Sequence, residues 1–236
     1  MVSQRQITIG TADGPMPAYE SRPDAAPRGT VVVVQEAFGL TSHIEDVTRR
    51  LAAVGYRAVA PALFHRQGSP AMAYDDFEKV MPVMAELTAE GLRTDMLATI
   101  DSLDAAPSSI GVIGFCMGGA VTLYAATLRP LGAAVTFYGG GVATGRFGLP
   151  PLIELATSLQ TPWLGLYGDK DQGIPVEDVE RLREAAATAP VPTEIVRYPE
   201  GQHGFHCDDR PAVYDADAAA DAWRRTLEWL DGHLAA

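Results

Sequence analysis

Ile113-Gly114-Phe115-Cys116-Met117-Gly118-Gly119 sits between an apolar run and an amphipathic run, and reads as a strand, a sharp turn and a helix. Glycines at 114 and 118 frame Cys116 in the spacing G-x-C-x-G, the nucleophile-elbow pattern with a thiol where serine usually stands. Such a turn is strained and crowded, so the residues two before and two after its apex must be small. Gly119 lets the following helix pack closely on the strand. The plainer reading is a Gly-rich strand-to-helix turn holding an inert buried cysteine. The rest of the chain decides between the two.

Upstream, Gln6–Ile9 and Met16–Glu20 flank Asp13-Gly14, so a hairpin opens the chain. Thr30–Gln35 is an unbroken β-branched run, as expected of a strand buried on both faces. A helix follows from Ser42, with Ser42 and Glu45 in capping-box spacing, until Gly55 stops it. A short strand at 57–60, a loop at 62–76 and helical patterns at 77–89 and 90–105 lead to the elbow. Beyond the elbow helix, 117–128, come strands at 133–137, 161–167 and 193–198, a helix at 176–188 and a last helix at 216–234. Residues 139–160 read as a loop that either covers the site or only packs. Strands alternating with helices predict an α/β fold with a mostly parallel central sheet, helices on both faces and an N-terminal β-hairpin. Short connections make residues 1–236 a single expected domain.

A nucleophile in this architecture needs a base, and the base needs a group to orient it, in the chain order nucleophile, acid, histidine. Gly168-Asp169-Lys170-Asp171 ends one strand downstream, and Gly201-Gln202-His203-Gly204 follows the next. Both fall at carboxyl ends of parallel strands, on the edge where sites in such sheets form. Asp171 is preferred to Asp169, which is expected to stabilise its own turn through an Asx bond. His203 lies between glycines; His206 is either a substrate contact or a surface residue, His43 a first-turn helix residue near the site or, in preference, a solvated helix end, and His233 a cation suited to the last helical turn. The turn Gln35–Gly39 is expected to lend the Ala37 amide to an oxyanion hole, with Met117 supplying the second amide. Glu36, beside a thiol in an apolar site, is costly unless partnered: it either pairs with an arginine, accepts the Cys116 proton, or holds the thiol inactive until substrate arrives.

Composition narrows the partners. A formal charge of −12 with no basic block argues against nucleic acid and anionic membranes. Sixteen of the eighteen basic residues are arginine, the better residue for planar carboxylates. With two cysteines, no apolar leader at Met1–Gly10 and no 18-residue apolar run, a cytoplasmic protein with free thiols is expected. His203, His206, Cys207 and Asp208 cluster densely, but without a second cysteine pair or an H-E-x-x-H helix no metal is implied. No C-x-x-C pair or G-x-G-x-x-G fingerprint points to redox chemistry, and no cofactor is expected.

Taken together, Gln35–Gly39, Gly114–Gly119, Gly168–Asp171 and Gly201–Phe205 resemble the dienelactone hydrolase family of the α/β-hydrolase superfamily. Pro61–Arg66 and Cys207–Trp223 carry the likeness along the chain. The resemblance implies carboxylic ester hydrolysis, with dienelactone opened to maleylacetate in aromatic-compound degradation. It makes Cys116 the nucleophile, His203 the base, Asp171 the orienting acid and Glu36 the thiol activator. Arginines grip the substrate carboxylate in the family, so Arg66 and Arg210 are the candidates here, joined by Phe38, His65, Tyr138 and Phe205 in the expected substrate-binding set. The family's Ser-Phe-x-Arg stretch after the histidine is replaced by Gly204-Phe205-His206-Cys207, and Arg210 follows later beside Asp208 and Asp209, with which it can pair instead. A carboxylesterase or thioesterase of other substrate range fits the same residues, and a non-catalytic binding protein is the remaining alternative. The expected partner is a small ester or lactone, with or without a carboxylate, acted on by a monomer or weak homodimer.

Overall fold

The computed structural model describes residues 2–235. Strands β1 (Val2–Thr11) and β2 (Gly14–Pro23) form the opening hairpin, longer than its apolar alternation suggests, around the two-residue turn Ala12-Asp13, with Gly14 already paired to Thr11. Then come β3 (Thr30–Val34), α1 (Ser42–Ala53), β4 (Arg57–Pro61), α2 (Phe77–Ala85), α3 (Ala89–Asp101), β5 (Ile110–Phe115) and α4 (Met117–Leu128). The chain continues through β6 (Ala133–Phe137), α5 (Leu152–Ala156), β7 (Trp163–Gly168), α6 (Val176–Ala186), β8 (Thr193–Tyr198) and α7 (Ala216–His233). The eight strands lie in the order β1-β2-β4-β3-β5-β6-β7-β8. β1, β2 and β4 pair antiparallel in turn, and β4, β3, β5, β6, β7 and β8 run parallel.

The β-branched run at β3 explains the layering. Val31 and Val33 face Ile44, Val47 and Leu51 of α1 and Leu230 of α7. Val32 and Val34 face Leu92, Met96 and Ile100 of α3 and Val121 of α4. Each such side chain removed from water stabilises the fold by about 1.5–3 kcal/mol. A strand apolar on both sides has to lie between two helical layers.

Two local expectations are corrected. Ser42 and Glu45 form no capping box: Thr41 is the N-cap residue and makes no side-chain cap bond. Ser42 instead donates its hydroxyl to Asp209 Oδ2 at 2.6 Å. Residues 139–160 hold the short helix α5, whose Leu152 and Ala156 are buried with Leu159, Val179 and Leu182. That part of the segment packs against the α4–α6 layer.

Candidate active site

At the elbow Cys116 takes φ +55° and ψ −116°, a conformation that side chains rarely adopt. Its amide donates to Phe137 O at 3.0 Å, which ties the apex to the end of β6. A Cβ on Gly114 would stand 2.1 Å from Gly118 O, and one on Gly118 would stand 2.3 Å from Val34 O. A Cβ on Gly119 would come within 2.8 Å of Phe137 O. The glycine spacing is therefore a steric requirement, as its sequence reading predicts. The turn leaves Cys116 at the N-terminus of α4.

Two loops are brought together by a second glycine contact. A Cβ on Gly168 would meet Gly201 O at 2.2 Å, and Lys170 N donates to that same carbonyl at 2.9 Å. The close approach sets Asp171, after β7, against His203, after β8. His203 Nδ1 lies 2.6 Å from Asp171 Oδ2, and His203 Nε2 lies 3.0 Å from Cys116 Sγ. Asp171 is 5% exposed, and its other oxygen accepts from the Gly173 amide at 2.8 Å. The Asx bond thus belongs to Asp171. Asp169 instead binds Arg197 through both oxygens, at 2.7 and 2.8 Å. Desolvation works against a charge on His203, yet negative charge on Cys116 and the hydrogen bond to Asp171 hold its pKa well above the ordinary value.

Glu36 is fully buried, and neither carboxyl oxygen has a hydrogen-bond partner among the described residues. Burial raises its pKa; His43, Arg210 and His203 act in the opposite direction. The amides of Ala37 and Met117 donate to no group of the fold among the described residues. Cys207 is a buried free thiol against the Tyr74 hydroxyl, 3.4 Å away, and burial pushes its pKa up to about 12. Such a thiol is inert at neutral pH.

The substrate-binding candidates separate. Arg66 is spent: it grips both oxygens of buried Asp95 at 2.7 and 2.9 Å and reaches Asp13 at 2.6 Å. His65 Nε2 lies 3.1 Å from the same Asp95. Both residues hold the loop after β4 to α3 and the hairpin turn, against the expectation that they meet substrate. Arg210 does not pair with its neighbours. Asp208 engages His43 and Arg50, and Asp209 engages Ser42. The Arg210 guanidinium lies 5.4 Å from the Tyr74 ring centroid and 5.8 Å from that of Phe38. Gly204 makes room for it, since a Cβ there would stand 2.6 Å from Arg210 Nη1. Phe38 packs edge-on against Tyr74 and Phe77, while Phe77 and Met81 of α2 are exposed. Tyr138 and Phe205 are wholly buried; Tyr138 backs onto the His203 ring at 5.2 Å.

Three histidine expectations also change or sharpen. His43 is 1% exposed, a buried residue at the start of α1. His206 is neither surface nor substrate contact, but lies among Phe115, Phe137 and Trp223, where burial drives its pKa to about 3. His233 Nδ1 lies 2.9 Å from Trp229 O in the last turn of α7. His203, His206, Cys207 and Asp208 point to four different sets of partners. The sequence signal for His43 is its place in the first turn of the helix that follows the Gln35–Gly39 turn.

The sheet order, the strained turn after β5 and the site at the carboxyl edge define an α/β hydrolase. The profile of the dienelactone hydrolase family matches residues 16–234, and the chain belongs to that family. A Salmonella typhimurium protein described as "Putative carboxymethylenebutenolidase" is 41% identical over 240 residues, covering 97% of this chain and 87% of its own. A Rhodococcus opacus protein described as "Carboxymethylenebutenolidase" is 28% identical, covering 98% of this chain and 91% of its own. Among solved structures, "Putative Dienelactone Hydrolase" from Klebsiella pneumoniae aligns with a TM-score of 0.89 and 36% identity, over 98% of this chain and 99% of that one. No helix among the described residues is long and apolar enough to cross a membrane.

Proposed function

We propose that the chain, as a single domain in a reducing cytoplasm, hydrolyses an enol-lactone or activated ester through Cys116, with dienelactone to maleylacetate as the leading reaction. The observation that carries this reading is the continuous line from Asp171 Oδ2 to His203 to Cys116 Sγ, at 2.6 and 3.0 Å, at the apex of the elbow. Glu36 takes the thiol proton, and its elevated pKa makes it a stronger base than an ordinary carboxylate. The thiolate attacks the substrate carbonyl, forming a C–S bond while the carbonyl π electrons move to oxygen. That oxyanion is received by the Ala37 and Met117 amides. The carbonyl re-forms as a thioester while the ring C–O bond breaks, and the leaving enolate takes up the proton held by Glu36, which restores the carboxylate. His203, oriented by Asp171, draws a proton from water as the water oxygen attacks the thioester, and the returning proton releases the sulfur.

Arg210, free of any ion pair among the described residues and held over Tyr74 and Phe38, is the group proposed to receive a substrate carboxylate. A second reading, a carboxylesterase of wider range, is favoured by the exposed Phe77 and Met81 beside Phe38. The test compares dienelactone with a neutral p-nitrophenyl ester, in the parent and in Cys116→Ala. Preference for dienelactone with a dead variant supports the narrow reading. Turnover of the neutral ester alone supports the wider one. Full activity in Cys116→Ala sinks both.

A further inference from the structure

A cavity of about 380 Å³ lies at the amino-terminal edge of the parallel strands, across the sheet from Cys116. Its walls are the first residues of β3 and β4, Thr30 and Arg57, with residues of the 103–109 connection that leads into β5. Three arginines line it: Arg22 at the end of β2, Arg28 between β2 and β3, and Arg57. The chain as a whole carries a formal charge of −12, so this grouping runs against its field.

The arginines are not used up by the acids around them. Glu20, wholly buried in β2, accepts from Arg5 Nε at 2.5 Å and from Arg57 Nε at 2.7 Å, and lies 3.1 Å from Arg22 Nε. Burial opposes its charge, yet the Arg5 and Arg57 hydrogen bonds hold its pKa below the ordinary value. One carboxylate therefore faces three guanidiniums. Arg57 also donates Nη1 to Leu103 O at 2.8 Å and is only 14% exposed, which fixes its position; its Nη2 has no partner among the described residues. Arg22 Nε makes no hydrogen bond despite its distance from Glu20, and the two amino groups of Arg22 bond to nothing among the described residues. Arg28 pairs with Asp231, which also accepts from the Tyr56 hydroxyl.

The rim adds backbone donors. The amides of Asp104, Ala105 and Ala106 donate to no group of the fold among the described residues. Asp104 is the one acid lining the cavity among the described residues. Four arginines, Arg5 included, thus stand against Glu20, Asp104 and Asp231, and the balance stays positive. Donors left without acceptors destabilise a fold until an acceptor arrives.

We propose that this cavity binds a small oxyanion, a phosphate ester or a dicarboxylate, whose oxygens accept from Arg57 Nη2, the Arg22 guanidinium and the rim amides. Both ligand types present paired oxygens to fixed N–H forks, the geometry that arginine serves best. The volume suits a metabolite and not a polymer. The ligand joins β2 and β4 to the connection ahead of β5, so it stabilises the sheet that carries the elbow. The site stands apart from the triad and holds whichever ester Cys116 attacks.

Isothermal titration calorimetry with inorganic phosphate, pyrophosphate and succinate tests it, together with thermal unfolding in each anion against sodium chloride of equal ionic strength. The proteins are the parent, Arg57→Met, Arg22→Gln, Asp104→Asn and Arg210→Met. One anion per chain is expected, with Tm raised by about 3–6 °C at ten times the dissociation constant. Arg57→Met and Arg22→Gln should each weaken binding about tenfold. Asp104→Asn should tighten it about threefold, and asparagine suits the left-handed backbone there, at φ +50°, so this variant decides the matter even if Arg57→Met fails to fold. Arg210→Met, at the other edge of the sheet, should leave binding unchanged. Binding of the phosphates alone supports a phosphate ester, and binding of succinate alone a dicarboxylate. The proposal is overturned by the absence of saturable binding, by equal stabilisation of every variant as general salt exclusion would give, or by a loss confined to Arg210→Met.

Discussion

Gly118→Ala places a methyl group where β3 ends. Its carbon would stand 2.3 Å from Val34 O, 2.4 Å from Gln35 O and 2.7 Å from Val34 C, all backbone atoms that no rotamer change can move. Relief to 3.0 Å requires the elbow and the end of β3 to separate by about 0.7 Å, the difference between that distance and 2.3 Å. Over-packing of this size in a dense interior costs about 1–3 kcal/mol. For a chain of 236 residues that lowers Tm by about 2–12 °C. The separation also parts the amides of Ala37 and Met117, one on each side of the contact. A misplacement near 1 Å at a reacting centre costs about 100-fold, so kcat should fall between tenfold and 100-fold with the fold intact. Thermal unfolding by circular dichroism and ester hydrolysis on the same preparation give both numbers. An unchanged Tm together with a kcat within twofold of the parent would refute the steric account of the elbow.

Asp171→Asn should keep the fold but lower kcat about 10²- to 10⁴-fold, since the amide cannot hold His203 as the carboxylate does; steady-state kinetics checks it, and a loss below threefold contradicts the assignment. Arg210→Met should raise KM for a carboxylate-bearing lactone tenfold or more and leave KM for a neutral ester unchanged; equal changes on both substrates count against a carboxylate site. Arg66→Ala should do the reverse, leaving both KM values alone while costing about 2–3 kcal/mol, because buried Asp95 loses a bidentate partner that is itself partly exposed. Differential scanning calorimetry reads this as a lowered Tm. Glu36 has a folded pKa above its unfolded value, so its contribution to stability is complete below the unfolded pKa and is lost as pH rises through the folded one. Glu36→Gln should therefore raise Tm more at pH 8 than at pH 5, and a larger gain at pH 5 contradicts the burial of that carboxyl.

What could be read from the sequence was set by local sterics. Gly114, Gly118 and Gly119 announce the elbow because three backbone contacts exclude any Cβ there. Asp171 and His203 follow because a parallel strand delivers its next residues to one edge of the sheet. The arginines were not legible: Asp95 and Asp13, which occupy Arg66, lie 29 and 53 residues away in sequence. Arg210 stands beside two aspartates in the chain, yet those turn toward α1, to His43, Arg50 and Ser42. That same long-range contact removes the Ser42 capping box. α5 was missed because five residues behind Pro150-Pro151 are too few to show a helical period. His43 reads as a solvated helix end because periodicity ranks apolar residues, whereas its burial comes from the loop that arrives with Asp208.

The most direct measurement is acylation itself. Mixing the protein with excess p-nitrophenyl acetate and quenching within the first turnover should yield a burst of one p-nitrophenolate per chain. Peptide mass spectrometry should then find the acetyl group on Cys116, and His203→Ala should prolong its lifetime. No acyl group on Cys116 during turnover, or full hydrolysis by Cys116→Ala, contradicts the account.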